Sequence, residues 1–214
     1  MDCVSSSPDH NALLLANLPA PQVDQEVLES FIDEWKDGGG TERANYQLFL
    51  SQLCEVLGLA KPDRSKDDLR DNGYVFERRV TEEFAEGGET KRWIDLYKRG
   101  CFVCEAKQSG LELGSGRWDK SMRKAFNQAE RYVRSLPAEE GRPPFIIVTD
   151  VGRHLELYSE FSRSGGNYIA YPDANSYKIK LEDLRKPEVQ QRLIAVWNNP
   201  MELDPSRMSA RVTR

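Results

Sequence analysis

The chain has 214 residues, of which 39% are hydrophobic and 30% charged, and a net charge of −5. That suits one sizeable α/β or α+β domain with a small helical appendage. No apolar run approaches the roughly 20 residues of a bilayer span, and residues 1–20 carry no Lys or Arg, so neither membrane association nor a secretory leader is expected.

Residues 1–21 are polar, Pro-bearing and irregular and are expected to be poorly ordered. From Val23, the positions Val27, Leu28, Phe31, Ile32 and Trp35 recur at helical spacing. The glycines of "DGGGT" end that helix. A second helix sets Tyr46, Phe49, Leu50, Leu53, Cys54 and Leu57 on one face, and residues 61–72 form a charged linker. "GYVFERRVTEEFAEGG" is predicted as a third helix, starting near Tyr74 and broken at Gly87-Gly88. A hairpin over 91–107 follows, then the Gly/Ser loop "SGLELGSGRW". A fourth helix over "DKSMRKAFNQAERYVRSLP" carries Met122, Phe126, Ala129 and Val133 as its apolar stripe. "PPFIIVTD" is a continuous apolar run, as in a strand covered on both faces. "HLELYSE" alternates and reads as its neighbour. "YKIKLEDL" is an edge strand or the approach to a final helix around "EVQQRLIAVW". This order implies a mixed central sheet flanked by helices, with an N-terminal helical cap.

The hairpin carries charges where a core strand should have none. With a side-chain period of two, Val103, Glu105 and Lys107 share one face, and Phe102, Cys104 and Ala106 the other. Nine residues separate Asp95 from Glu105, so a turn at Lys98-Arg99-Gly100 brings the two carboxylates near each other. Carboxylates held close repel unless a cation lies between them. Hard oxygen ligands with room for water suit Mg²⁺, which can orient a phosphate, activate a water and stabilise a leaving oxygen. Lys107 beside it can position or deprotonate that water. The structural alternative for the same three residues is an ion pair on an edge hairpin.

Asp–x9–Glu–Ala–Lys resembles the PD-(D/E)XK nuclease signature. Glu77, in "YVFERR" of the expected third helix, matches an extra metal-linked carboxylate that this fold often carries. Gln108 follows the lysine. Gln128 and Tyr132, four apart on one helix face, resemble the Q-x3-Y element of RecB-like members. The stretches "ERANYQLFLSQLCEVLGLAKPD", "YVFERRV", "IDLYKRGCFVCEAKQ" and "MELDPSRMSARVTR" together resemble the N-terminal region of MmeI-like (type IIL) restriction–modification proteins. The likeness covers most of residues 41–214 and is loose before Thr41. In that family one chain carries a nuclease domain, a helical spacer, an adenine methyltransferase and a target-recognition domain.

The resemblance implies a restriction-endonuclease-like core with Asp95, Glu105 and Lys107 as the catalytic set and Glu77 assisting. Mg²⁺, or Mn²⁺ in its place, would bind Asp95, Glu105 and the carbonyl of Ala106, and Gln108 would orient the water held by Lys107. The substrate would be double-stranded DNA, cut to leave 5′-phosphate and 3′-hydroxyl ends. Methyltransferase and target-recognition domains would be neighbours in a longer chain or partners. The nearest string to a methyltransferase Asn-Pro-Pro-aromatic motif is Asn198-Asn199-Pro200-Met201, so no methyltransferase is expected within these residues. The expected layout is an irregular N-terminus (1–21), a helical cap and linker (22–72), a nuclease core (73–200) and a segment leading toward a spacer (201–214). The alternatives are a RecB-like structure-specific or exonucleolytic nuclease, and an inactive DNA-binding or assembly module.

Between Lys91 and Arg134, eleven Lys/Arg oppose five Asp/Glu, a local surplus inside an acidic chain. Such a segment can face phosphates, and Arg117, Lys120, Arg123 and Lys124 are candidates for DNA-backbone contacts. Solvated helix charges are the plainer reading of the same run. Cys101-x2-Cys104 lacks the further ligands of a zinc site and reads as small buried residues. Four cysteines make no disulfide scaffold, so a reducing cytoplasm is expected, and the resemblance implies that it is bacterial or archaeal. His154, in a turn between strands, reads as solvated.

Overall fold

The computed structural model describes residues 15, 18–36, 42–83 and 87–207. The glycine stop at 37–41 and most of the irregular N-terminus lie outside these residues. Helix α1 spans Gln25–Lys36 and buries Leu28, Phe31, Ile32 and Trp35. Helix α2 spans Glu42–Val56, and its expected stripe from Tyr46 to Leu57 is buried throughout. Strands β1 (Tyr74–Glu83), β2 (Glu89–Lys98) and β3 (Phe102–Lys107) come next, followed by helix α3 (Gly116–Ser135). Ser115 caps α3 by accepting from the Trp118 backbone N–H. Strands β4 (Phe145–Asp150), β5 (His154–Ser159), β6 (Ile169–Ala170) and β7 (Lys178–Lys180) lead to helix α4 (Pro187–Asn198).

The seven strands form one mixed sheet in the order β1-β2-β3-β4-β5-β6, with β7 also on β5. Among the described strands, β3 and β4 alone pair in parallel, joined by α3 as the crossover. Alternation along the central strands sorts side chains to the two faces. Phe102, Cys104, Phe145, Ile147, Leu155 and Leu157 share a core with residues of α1, α2 and α4. Val103, Ile146 and Val148 share the other with Trp118, Met122, Ala125, Ala129 and Val133 of α3. Strand β4 is buried at every position, as its unbroken apolar run implied. Strand β5 pairs beside it as expected. The cap helices are anchored closely: a Cβ on Gly152, in the β4–β5 turn, would lie 2.9 Å from the Trp35 carbonyl oxygen.

Two expectations are corrected. Residues from Tyr74 do not form a helix. They pair antiparallel with β2 from Tyr74↔Lys98 to Glu83↔Glu89. The charges that imitate a helix surface are partly interior. Arg78 is 1% exposed and pairs with Glu140, which also accepts from the Tyr97 hydroxyl at 2.6 Å. Glu82 accepts from Arg92 at 3.1 Å and from Arg131 of α3 at 3.2 Å. Partners distant in sequence turn an apparently polar segment into a strand. His154 is not solvated either. It is 3% exposed and meets Trp118 edge-on at 4.9 Å. Burial, followed by nearby Lys178, lowers its pKa to about 4.

Candidate active site

The site forms where the sheet splits. The β2–β3 ladder runs from Lys98↔Phe102 to Leu96↔Cys104 and ends there. Asp95 and Glu105 would be the next opposed pair. Instead, Asp95 Oδ2 accepts a 2.7 Å hydrogen bond from the Ala106 backbone N–H. Strand β3 continues on its other edge to Lys107↔Asp150 of β4. The outer half of β2 stays paired with β1 alone, as a two-stranded arm.

On β1, Glu77 falls between the pairs Phe76↔Leu96 and Arg78↔Ile94, at the same step as Asp95 on β2, with a φ of 54°. This left-handed conformation is uncommon for a residue with a side chain. It coincides with a change of facing. Tyr74 packs on the α1–α2 core and Phe76 lies against it, whereas Val80 packs on the α3 core. On β2, Leu96 faces the first core and Ile94 the second. The alternation therefore inverts across the Glu77–Asp95 step. Sites that keep such backbone against its cost are enriched in function.

A cavity of about 350 Å³ opens at this step, lined by Tyr46, Glu77, Arg92, Trp93, Asp95, Glu105, Lys107, Gln128 and Tyr132. It brings together Glu77, Asp95, Glu105, Lys107, Gln128 and Tyr132 from the sequence reading, with Glu77 on a strand rather than a helix. Lys107 Nζ donates to Glu105 Oε1 at 2.8 Å and to the Ala106 carbonyl at 3.0 Å. Across the cavity, Gln128 Nε2 donates to the Tyr132 hydroxyl at 2.8 Å. Burial and then the Glu105 charge raise the Tyr132 pKa. The Tyr46 hydroxyl donates to Glu77 Oε1 at 2.5 Å. Burial pushes Tyr46 above the usual tyrosine range, and its bond to Glu77 adds to the shift.

The other named residues lie elsewhere. Gln108 is not among the lining residues, and its Oε1 accepts from Asn45 at 3.4 Å. Arg117, Lys120, Arg123 and Lys124 are exposed along α3, and none lines this cavity. Arg123 instead lines a separate cavity toward β5 and β7, with Glu156, Tyr158 and Lys178. Cys101 and Cys104 are buried and free.

Tyr46, Arg92 and Trp93 are lining residues that the sequence reading missed. Tyr46 belongs to an apolar helix stripe that reads as core. Asp150 was also missed. It is fully buried and accepts from Ser109 N at 2.9 Å, Ser109 Oγ at 3.1 Å and Trp118 Nε1 at 2.9 Å. It thereby fixes the loop after Lys107 to the start of α3.

The donor set fits a hard cation. A positive ammonium already rests on Glu105 Oε1 and the Ala106 carbonyl, two of the three oxygen groups assigned to a metal from sequence. Asp95 supplies the third from the adjoining strand. Among the described residues, no group of three or more His, Cys, Asp and Glu side chains gathers as a metal cluster, so a cation here depends on two carboxylates, a carbonyl and water. That composition suits Mg²⁺, which keeps several waters, better than an all-protein cage.

A protein-family model described as "MmeI, N-terminal domain" matches residues 23–214. The match takes in α1, where the sequence resemblance was loose. No curated protein and no solved structure matches the chain.

Proposed function

The chain belongs to the MmeI N-terminal domain family, and from that premise we propose that it is a metal-dependent DNA endonuclease domain of PD-(D/E)XK type, the cleavage module of a type IIL restriction–modification enzyme. The observation that carries this reading is the convergence of Asp95, Glu105 and Lys107, with Glu77, Gln128 and Tyr132, on one open cavity at a split in the sheet. The parallel β3–α3–β4 unit behind it supports the same reading.

Asp95, Glu105 and the Ala106 carbonyl are the groups that would hold Mg²⁺ or Mn²⁺. Bound there, the ion would supply Lewis-acid polarisation of the phosphoryl group and stabilise the departing oxygen. Asp95 is oriented by the Ala106 N–H, so its carboxylate is fixed before any ligand arrives. Lys107 lies beside Glu105 on a flexible stem. Its ammonium can hold the attacking water and offset negative charge developing on the phosphoryl oxygens. Gln128 and Tyr132 offer polar groups from the opposite wall. Glu77, held by Tyr46, adds a carboxylate at the mouth.

The test is nicking of supercoiled plasmid by the purified chain. Conversion to open-circular or linear DNA with Mg²⁺, abolished by chelator, is the expected result. No conversion with Mg²⁺ or Mn²⁺ at high enzyme concentration sinks the reading. A second reading, a RecB-like exonuclease, draws on Gln128 and Tyr132 facing the carboxylates. It requires linear duplexes to be shortened from their ends while closed circles survive.

A further inference from the structure

Three of the four tryptophans are buried: Trp35 is 6% exposed, Trp118 2% and Trp197 0%. Trp93 is 49% exposed and lines the cavity that holds Asp95 and Glu105. It stands on the two-stranded arm, directly opposite Arg79, and the next pair on the same face is Lys91↔Thr81. All four residues are exposed. Opposed residues on one face of an antiparallel pair lie about 5 Å apart at Cβ, so an indole and two cations form a single patch. Moving toward the tip, the next β2 residue on that face is Glu89, so the cations lie on the cavity side of it. The inverted alternation at Glu77–Asp95 turns this patch away from α3, while Ile94 and Val80 keep the α3 side.

An isolated exposed apolar side chain needs no explanation. A flat indole at the rim of a carboxylate-lined cavity, flanked by two cations, is a different object. It matches the pairing of aromatic platform and phosphate-tracking charge by which proteins hold unpaired nucleic acid. We infer that Trp93 is a stacking platform for an unpaired nucleobase next to the phosphate to be cut, with Arg79 and Lys91 taking the flanking phosphates. This rests on the nuclease reading and adds a requirement to it: the base beside the cut must leave its stack.

Trp93 supplies its own probe, because its indole is the exposed one of the four. The full chain, with Ca²⁺ in place of Mg²⁺ at low salt, is titrated with a 12-nucleotide oligothymidylate and with an abasic phosphodiester of equal length. Binding is followed by anisotropy of end-labelled DNA, and stacking by tryptophan emission. The expected result is that oligothymidylate quenches the emission and binds roughly tenfold more tightly than the abasic chain. Trp93→Ala should then lower oligothymidylate affinity by about the same factor, with Trp93→Phe retaining most of it. Equal binding of both oligomers, or unchanged oligothymidylate affinity in Trp93→Ala, overturns the platform and leaves the nuclease reading standing. If oligothymidylate does not bind at all, the platform is likewise overturned, while the nuclease reading is decided separately by plasmid nicking.

Discussion

Lys107 Nζ rests on Glu105 Oε1 and the Ala106 carbonyl, so its role can be separated from that of the carboxylates. Lys107→Ala removes a cation that competes for metal-binding oxygens. The rise in melting temperature on adding Mn²⁺ should persist or grow, because ligand binding stabilises through affinity for the native state. Cleavage should nonetheless fall by roughly a hundredfold or more, the usual scale for losing a group that handles the attacking water. Asp95→Asn should do the reverse to the metal increment and shrink it. An increment unchanged in Asp95→Asn would remove Asp95 from the site. His154 gives a prediction independent of function. Burial holds its pKa at about 4, against an ordinary value of 6.5. As pH falls, the unfolded chain takes the proton first, so stability is full above pH 6.5 and is lost as pH drops toward 4. At pH 5 the loss should be ~2 kcal/mol. His154→Leu should flatten that part of the urea-midpoint profile between pH 7.5 and 5, and matching slopes in the two proteins would contradict the assignment.

At the scale of elements, β1 is the instructive case. Strand periodicity placed Glu105 and Lys107 on one face, and the nine-residue spacing placed Asp95 near them. Helical periodicity placed Gln128 with Tyr132. These relations are local, so one sequence carries them. The strand character of 74–83 is not local. It depends on Arg78 meeting Glu140, 62 residues on, and on Glu82 meeting Arg131, 49 residues on. Before those partners are known, "FERRVTEE" looks like a solvated helix face. The burial of His154 was hidden in the same way, since Trp118 lies on another element. The inversion at Glu77 was equally illegible, because a positive φ at a glutamate has no sequence signal. It can be tested by comparing Glu77→Gly with Glu77→Ala, which both lose the Tyr46 hydrogen bond. In ordinary strands glycine is the worse of the two by about 0.5–1 kcal/mol. At a left-handed position the order should reverse, with Glu77→Gly the more stable by roughly 1 kcal/mol in urea unfolding. The ordinary order would show that the backbone here is relaxed.

At the scale of the whole molecule, a sheet covered on both faces holds a cavity at one split end, and α3 carries an exposed basic row outside that cavity. Arg117, Lys120, Arg123 and Lys124 point to solvent, and contacts from such side chains would be to phosphate, which carries no base information. DNA binding by this chain should therefore be weak, nearly indifferent to sequence and steeply salt-dependent. Changing Arg123 and Lys124 to Ala should weaken binding about equally for unrelated duplexes and flatten the salt slope by about one to two units. A hundredfold preference for one short duplex would instead mean that the chain reads sequence unaided. The claim that joins these scales is that Asp95, Glu105 and Lys107 form one cation-assisted hydrolytic site. Its most direct test is the rate of plasmid nicking in Mg²⁺ for wild type, Asp95→Asn, Glu105→Gln and Lys107→Ala, each first confirmed as folded by its unfolding midpoint. A single site requires each substitution to lower the rate by roughly a hundredfold or more, with wild-type nicks carrying 5′-phosphate ends. Wild-type rates in any of the three folded variants would contradict it.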